Sequence, residues 1–167
     1  RIEFRPPDSA TWYGYLDLPW PITDRHWLVE VWNNHKLAEA TGNQAWEHPW
    51  RLDPDWEGRM RPAIGAGRVP GITTEMMDSA IYTPRNEGAW FFMALGDHTL
   101  FGYHATTVVG GDIPEGLFSQ VVYSGLDSLL KDLATRAEEA VPAHYVQGHE
   151  LLPGGDGRNI PLPRPAQ

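Results

Sequence analysis

Apolar residues recur every three or four positions between Pro114 and Val141. Phe118, Val122, Leu126, Leu129, Leu133 and Ala137 fall on one stripe, while Glu115, Lys131, Asp132, Arg136 and Glu138 take the other faces. Pro114 stands near the first turn, where its missing N–H costs nothing, and Glu115 suits the positive end of the helix dipole. Pro142 stops the run. The spacing predicts a helix over 114–141 with an apolar stripe roughly six turns long. A stripe of that length has to be covered, which limits the chain to folds that offer it an apolar partner layer.

The preceding residues supply that layer in the period of a strand. In HWLVEVW (26–32), Trp27, Val29 and Val31 share one face with Arg25 in phase, and His26, Leu28, Glu30 and Trp32 share the other. TWYGYLDL (11–18) has strand composition and length, and the prolines of PWPIT turn the chain between the two. QAWEHPWRLD (44–53) reads as the returning strand, with Pro49 marking an edge or a bulge. GAWFFMALGDHTLFGYHATTVV reads as a hairpin turning at Gly96-Asp97.

Between these elements, 33–43 is an exposed connection with room for one helical turn. The Gly- and Pro-rich stretch 53–71 reads as loop, and 1–10 as a short extended piece broken by prolines. The expected organisation is one domain over 1–141 and an extended or disordered tail over 142–167. Its class is α+β, a curved antiparallel sheet wrapped around a long C-terminal helix.

Composition removes several functions. The 13 Lys and Arg are scattered in a chain of net charge -9, so no basic footprint for nucleic acid exists. No cysteine is present, which excludes disulfides, thiolate metal sites and a cysteine nucleophile. No apolar run approaches the roughly 18 residues of a membrane-spanning helix. Of the 8 tryptophans, seven lie in the first 56 residues, a cluster suited to a core or a pocket wall. Histidines 26, 35, 48, 98, 104, 144 and 149 show no His-x-His or HExxH spacing, so no metal site is expected. No GxSxG, P-loop or dinucleotide fingerprint occurs, and no cofactor is expected.

LPWPITDRHWLVEV resembles the Pro-x-Pro, x-Asp-Arg, strand segment of START-type lipid-transfer domains, members of the helix-grip (START/Bet v 1-like, SRPBCC) superfamily. NEGAWFFMALGDHTLFGYHATTVVGGDIPEGLFSQVV resembles their second signature, a Gly-x-Trp strand leading to a Thr-containing strand, a glycine break, Ile-Pro and the long helix. The resemblance covers about residues 13 to 140. In that family a strand and two helices precede the first motif, whereas only 17 residues precede Leu18 here, so those opening elements are expected to be lacking. Arg1 rather than Met begins the chain, which favours a periplasmic or secreted protein over a cytoplasmic one.

The resemblance implies non-catalytic binding or transport of a lipid or sterol-like molecule in an internal cavity, with transient membrane contact. The inward positions would be Trp27, Val29 and Val31; Trp46 and Trp50; Trp90 and Phe92; and Tyr103. Val122, Leu126, Leu129 and Leu133 of the helix would close the cavity, and the 33–43 loop would act with the helix as a lid. In similar domains the motif's arginine points into the cavity and pairs with a carboxylate, a role that falls to Arg25, with Glu3, Asp8 and Glu47 open as partners. The other reading of Arg25 is a solvated pair with Asp24 or another surface carboxylate. A polyketide aromatase/cyclase-like enzyme of the same superfamily is the alternative function, with His48, His104 and Tyr103 as its acid–base candidates. An accessory subunit with a vestigial pocket is a third.

Overall fold

The computed structural model describes residues 3–5, 9–113, 125–139, 152–153 and 159–160, with side chains for 9–113 and 125–139. In chain order its elements are β1 (Glu3–Arg5), β2 (Ser9–Leu16), β3 (Arg25–Trp32), α1 (His35–Ala40), β4 (Ala45–Leu52), α2 (Trp56–Gly65), α3 (Thr74–Ser79), β5 (Ile81–Tyr82), β6 (Arg85–Leu95) and β7 (His98–Val108). A helix, α4, covers 125–139, and the short strands β8 (Leu152–Pro153) and β9 (Asn159–Ile160) pair with each other.

The sheet runs β1-β2-β3-β4-β6-β7, every neighbour antiparallel, and β5 lies parallel to the start of β3. The chain is therefore α+β, with an open antiparallel sheet and a C-terminal helix. Register sorts the side chains. Val31 stands opposite Trp50, Trp46 opposite Phe92, His48 opposite Trp90, and Trp90 opposite Tyr103. One face, called here the cavity face, therefore carries Trp27, Val29, Val31, Trp46, Trp50, Trp90, Phe92 and Tyr103 together. The period-two reading of β3 and the hairpin predicts this sorting, and Gly96 does turn the hairpin, at φ 64° between Leu95 and His98.

Close packing on the cavity face depends on two glycines. Gly14 lies opposite Trp27 and Gly88 opposite Trp50, and a Cβ at either would collide with the facing indole. The bare backbone lets each ring lie across the neighbouring strand. Val29, Val31 and Trp50 are buried there, with Trp27, Leu52, Trp90 and Tyr103 packed against them. Trp50 stacks on Tyr103 at 5.2 Å between ring centres.

The opposite face overturns one expectation. The stretch 53–71 is not all loop, because α2 occupies Trp56–Gly65 and α3 follows at Thr74–Ser79. Gly58, Pro62 and Gly65 lower the local helix propensity, and burial overrides it. Met60 and Ile64 of α2 and Met77 of α3 bury against Leu28, with Tyr13, Trp56, Val69 and Ile72 around them. The i, i+3, i+4 spacing of Met60, Ala63 and Ile64 is the signal that the prolines and glycines obscure.

One smaller correction concerns Pro49. Pro49 lies in an inner strand, not at an edge; it pairs with Ala89 of β6, just past the end of the β3 ladder at Trp50. The 33–43 connection does contain a short helix, capped by the Asn34 side chain on the Leu37 N–H.

Candidate functional site

A cavity of about 410 Å³ opens between the cavity face and α4. Its apolar walls are Leu16, Trp27, Ala105, Val109, Leu126 and Leu129. Its polar lining is Arg25, Thr83, Asn86, Tyr103 and Thr107. Three parts of the chain meet here: the β2–β3 hairpin, the outer end of the β6–β7 hairpin, and the helix.

Arg25, at the head of β3, is only 2 % exposed. Its guanidinium reaches across to the end of β7, where Nε donates to the Val109 carbonyl and Nη2 to the Gly110 carbonyl, both at 2.7 Å. Nη1 donates to the carbonyls of Thr23 and Asp24. The expected carboxylate partner is absent among the described residues. Glu47 accepts from the Asn34 side chain, and the side chains of Glu3 and Asp8 lie outside the described residues. Asp24 has other partners: its carboxylate accepts from the Tyr15 hydroxyl at 2.6 Å and the Leu18 N–H at 2.9 Å. The Leu18 backbone bond, then the Tyr15 bond, hold that carboxyl below its ordinary range. Among the described residues, Arg25 is thus neither solvated nor salt-bridged, but a buried cation held by backbone carbonyls.

That arrangement explains the Gly110-Gly111 pair. Both have positive φ, 68° and 66°, and a Cβ at Gly111 would stand 2.9 Å from Arg25 Nη2. The chain leaves β7 by wrapping close around the guanidinium.

Asn86 receives the Trp50 indole N–H on Oδ1 at 3.0 Å. An indole only donates, so this bond turns the Asn86 amide N–H group away from Trp50. Burial pushes the Tyr103 phenol up, so it stays protonated at neutral pH.

Of the residues anticipated as ligand contacts, Arg25, Trp27, Tyr103, Leu126 and Leu129 line this cavity. Val29, Val31 and Trp50 belong instead to the packed cluster beside it. Trp90 tilts against Tyr103 at 4.6 Å and Phe92 stacks on Trp90, one row further from the cavity, while Trp46 sits against the His35 ring of α1. Leu133 is half-buried on α4 away from the lining, and Val122, with Phe118, lies outside the described residues.

Sequence reading passes over Leu16, Thr83, Asn86, Ala105, Thr107 and Val109. Ala105 and Thr107 share the phase of Tyr103, and Asn86 that of Trp90, so alternation alone places them on the cavity face. Thr83 and Val109 lie outside the long strands and carry no such signal.

The acid–base candidates separate. Tyr103 lines the cavity, whereas His104 points to the opposite face and is exposed. His48 shares the cavity face, but its Nδ1 pairs with Asn33 Oδ1 at 3.0 Å, and burial holds its pKa below the ordinary histidine value. No cluster of potential metal ligands occurs among the described residues, and no helix there is long and apolar enough to cross a membrane. No family model, no curated protein and no solved structure matches the chain.

Proposed function

We propose that this chain binds, and carries, an apolar small molecule between its sheet and C-terminal helix, in the manner of a START-type helix-grip domain. The cavity lined jointly by Trp27 on the sheet and Leu126 and Leu129 on the helix carries this reading. Its volume of about 410 Å³ lies within the usual range for small-molecule pockets. A ligand burying roughly 500 Å² of apolar surface gains about 12 kcal/mol gross, much of which is offset by lost motional freedom. Micromolar binding is then reachable on apolar contact alone, with the polar lining left to set orientation.

The reading is tested by native mass spectrometry of the purified chain, with organic extraction of whatever it retains. A co-purifying amphiphile, lost in a Trp27→Ala variant, is the expected result. If the chain retains nothing and a neutral apolar dye such as Nile red does not bind, the proposal fails. Turnover of an aromatic polyketide substrate that depends on Tyr103 would replace it with the catalytic reading.

A further inference from the structure

We propose that the cavity's ligand is an anionic amphiphile whose single carboxylate sits against Arg25, with Asn86 and Tyr103 alongside. The inference rests on the ligand-binding reading above and adds the chemical class of the ligand.

A buried cation without a counter-charge is costly, and burial is tolerated when a partner supplies the opposite charge. Arg25 is buried, lines the cavity, and has no carboxylate in hydrogen-bond contact among the described residues; the Asp24 carboxylate, bonded to Tyr15 and Leu18, feels its charge without pairing with it. Four carbonyl contacts engage Nε, Nη1 and Nη2 of its guanidinium and neutralise none of its charge.

The neighbouring polar groups favour the same ligand. The Trp50 bond aims the Asn86 amide donors elsewhere, and the Tyr103 and Thr107 hydroxyls can donate. Among the described residues, no Asp or Glu lines the cavity. A donor-rich, acid-free end beside the apolar walls of Trp27, Leu126 and Leu129 fits a carboxylate with a hydrocarbon tail. A sterol or alcohol head would bring no charge to the guanidinium.

A matched pair of ligands, decanoate and decanol, tests this on the full chain, each titrated below its aggregation concentration by displacement of Nile red. Decanoate is expected to bind at least ~10-fold more tightly, the scale of a charge-assisted hydrogen bond. The carbon-13 carboxyl signal of bound decanoate should titrate at lower pH than that of the free acid, because the guanidinium favours the ionised form. Asn86→Asp keeps an acceptor for Trp50 but adds a negative charge, so it should weaken decanoate by ~10-fold or more and leave decanol nearly unchanged. Equal or tighter binding of decanol, or a bound carboxyl that titrates above the free acid, overturns the inference while leaving the ligand-binding reading intact. Failure of Nile red and of both ligands to bind overturns that reading as well. The wild-type comparison stands even where the variant fails to fold.

Discussion

Single residues set the finest tolerances. Gly88 faces the Trp50 ring and the His104 carbonyl where any Cβ would stand, and a backbone atom cannot rotate away. Gly88→Ala is therefore expected to destabilise the protein by about 1–3 kcal/mol, read from urea unfolding midpoints. An unchanged midpoint would show that the indole does not lie over the strand. His26 is a second exacting position. It is buried on the far face against Trp56 and Tyr82, with the Tyr13 hydroxyl 3.2 Å from Nδ1. Burial lowers its pKa, with the Asp78 charge opposing, and burial lowers that of His48 too. Both groups have folded-state values below the unfolded one near 6.5, so the unfolded chain takes up protons first as pH falls. Stability contributed by these histidines is complete above about pH 6.5 and declines as pH falls toward the folded values. Urea midpoints should drop between about pH 7.5 and pH 5.5, and a His26→Gln variant should show a flatter profile over that window.

At the level of elements, the far face of the sheet depends on α2 and α3. Neither helix is long enough to be stable alone, and the apolar cluster of Leu28, Met60, Ile64 and Met77 holds them in place. Met60→Ala leaves a cavity at a fully buried position and should cost about 2–5 kcal/mol. A loss under ~1 kcal/mol would mean that the pair packs loosely and relaxes. Thr73 caps α3 by accepting the Met76 N–H at 3.2 Å, and Thr73→Ala should cost about 1 kcal/mol without altering the cavity. Comparing ligand affinity in the two variants separates the far-face layer from the binding face. Neither change should move decanoate binding by more than a few-fold while the protein stays folded.

Over the whole molecule, the sheet is a shared wall with different duties on its two faces. One side is sealed by α2 and α3, and the other leaves space under α4. Leu129 is still 44 % exposed at that edge, consistent with contacts left for an incoming molecule. A ligand that fills the space stabilises only the folded state. Saturating decanoate at about 100 times its Kd should therefore add about 2.7 kcal/mol and raise the Tm. Leu126→Asn should abolish that shift while leaving the far-face core unaffected; a shift of the same size would place the ligand elsewhere.

Alternation and helical spacing are local properties, so the chain alone determined its long strands, the Gly96 turn and the helix over 125–139, and sorted Trp27, Trp50, Trp90 and Tyr103 onto one face; the 114–124 part of the expected helix lies outside the described residues. Sequence reading also picked out Trp27, Leu126 and Leu129 of the site's apolar wall and passed over Leu16, Ala105 and Val109. The α2 and α3 layer was not legible, because the glycines and proline of α2 speak for loop, α3 is too short to show a period, and only the burial of Met60 and Met77 speaks for helix. The partner of Arg25 was equally hidden. Spacing can place a guanidinium at the head of a strand, but only the tertiary structure brings the Val109 and Gly110 carbonyls, 84 and 85 residues away in sequence, to within 2.7 Å of it. Local pattern records which side a residue faces. What it meets there depends on long-range closure of the sheet, and closure brought these carbonyls onto the cation.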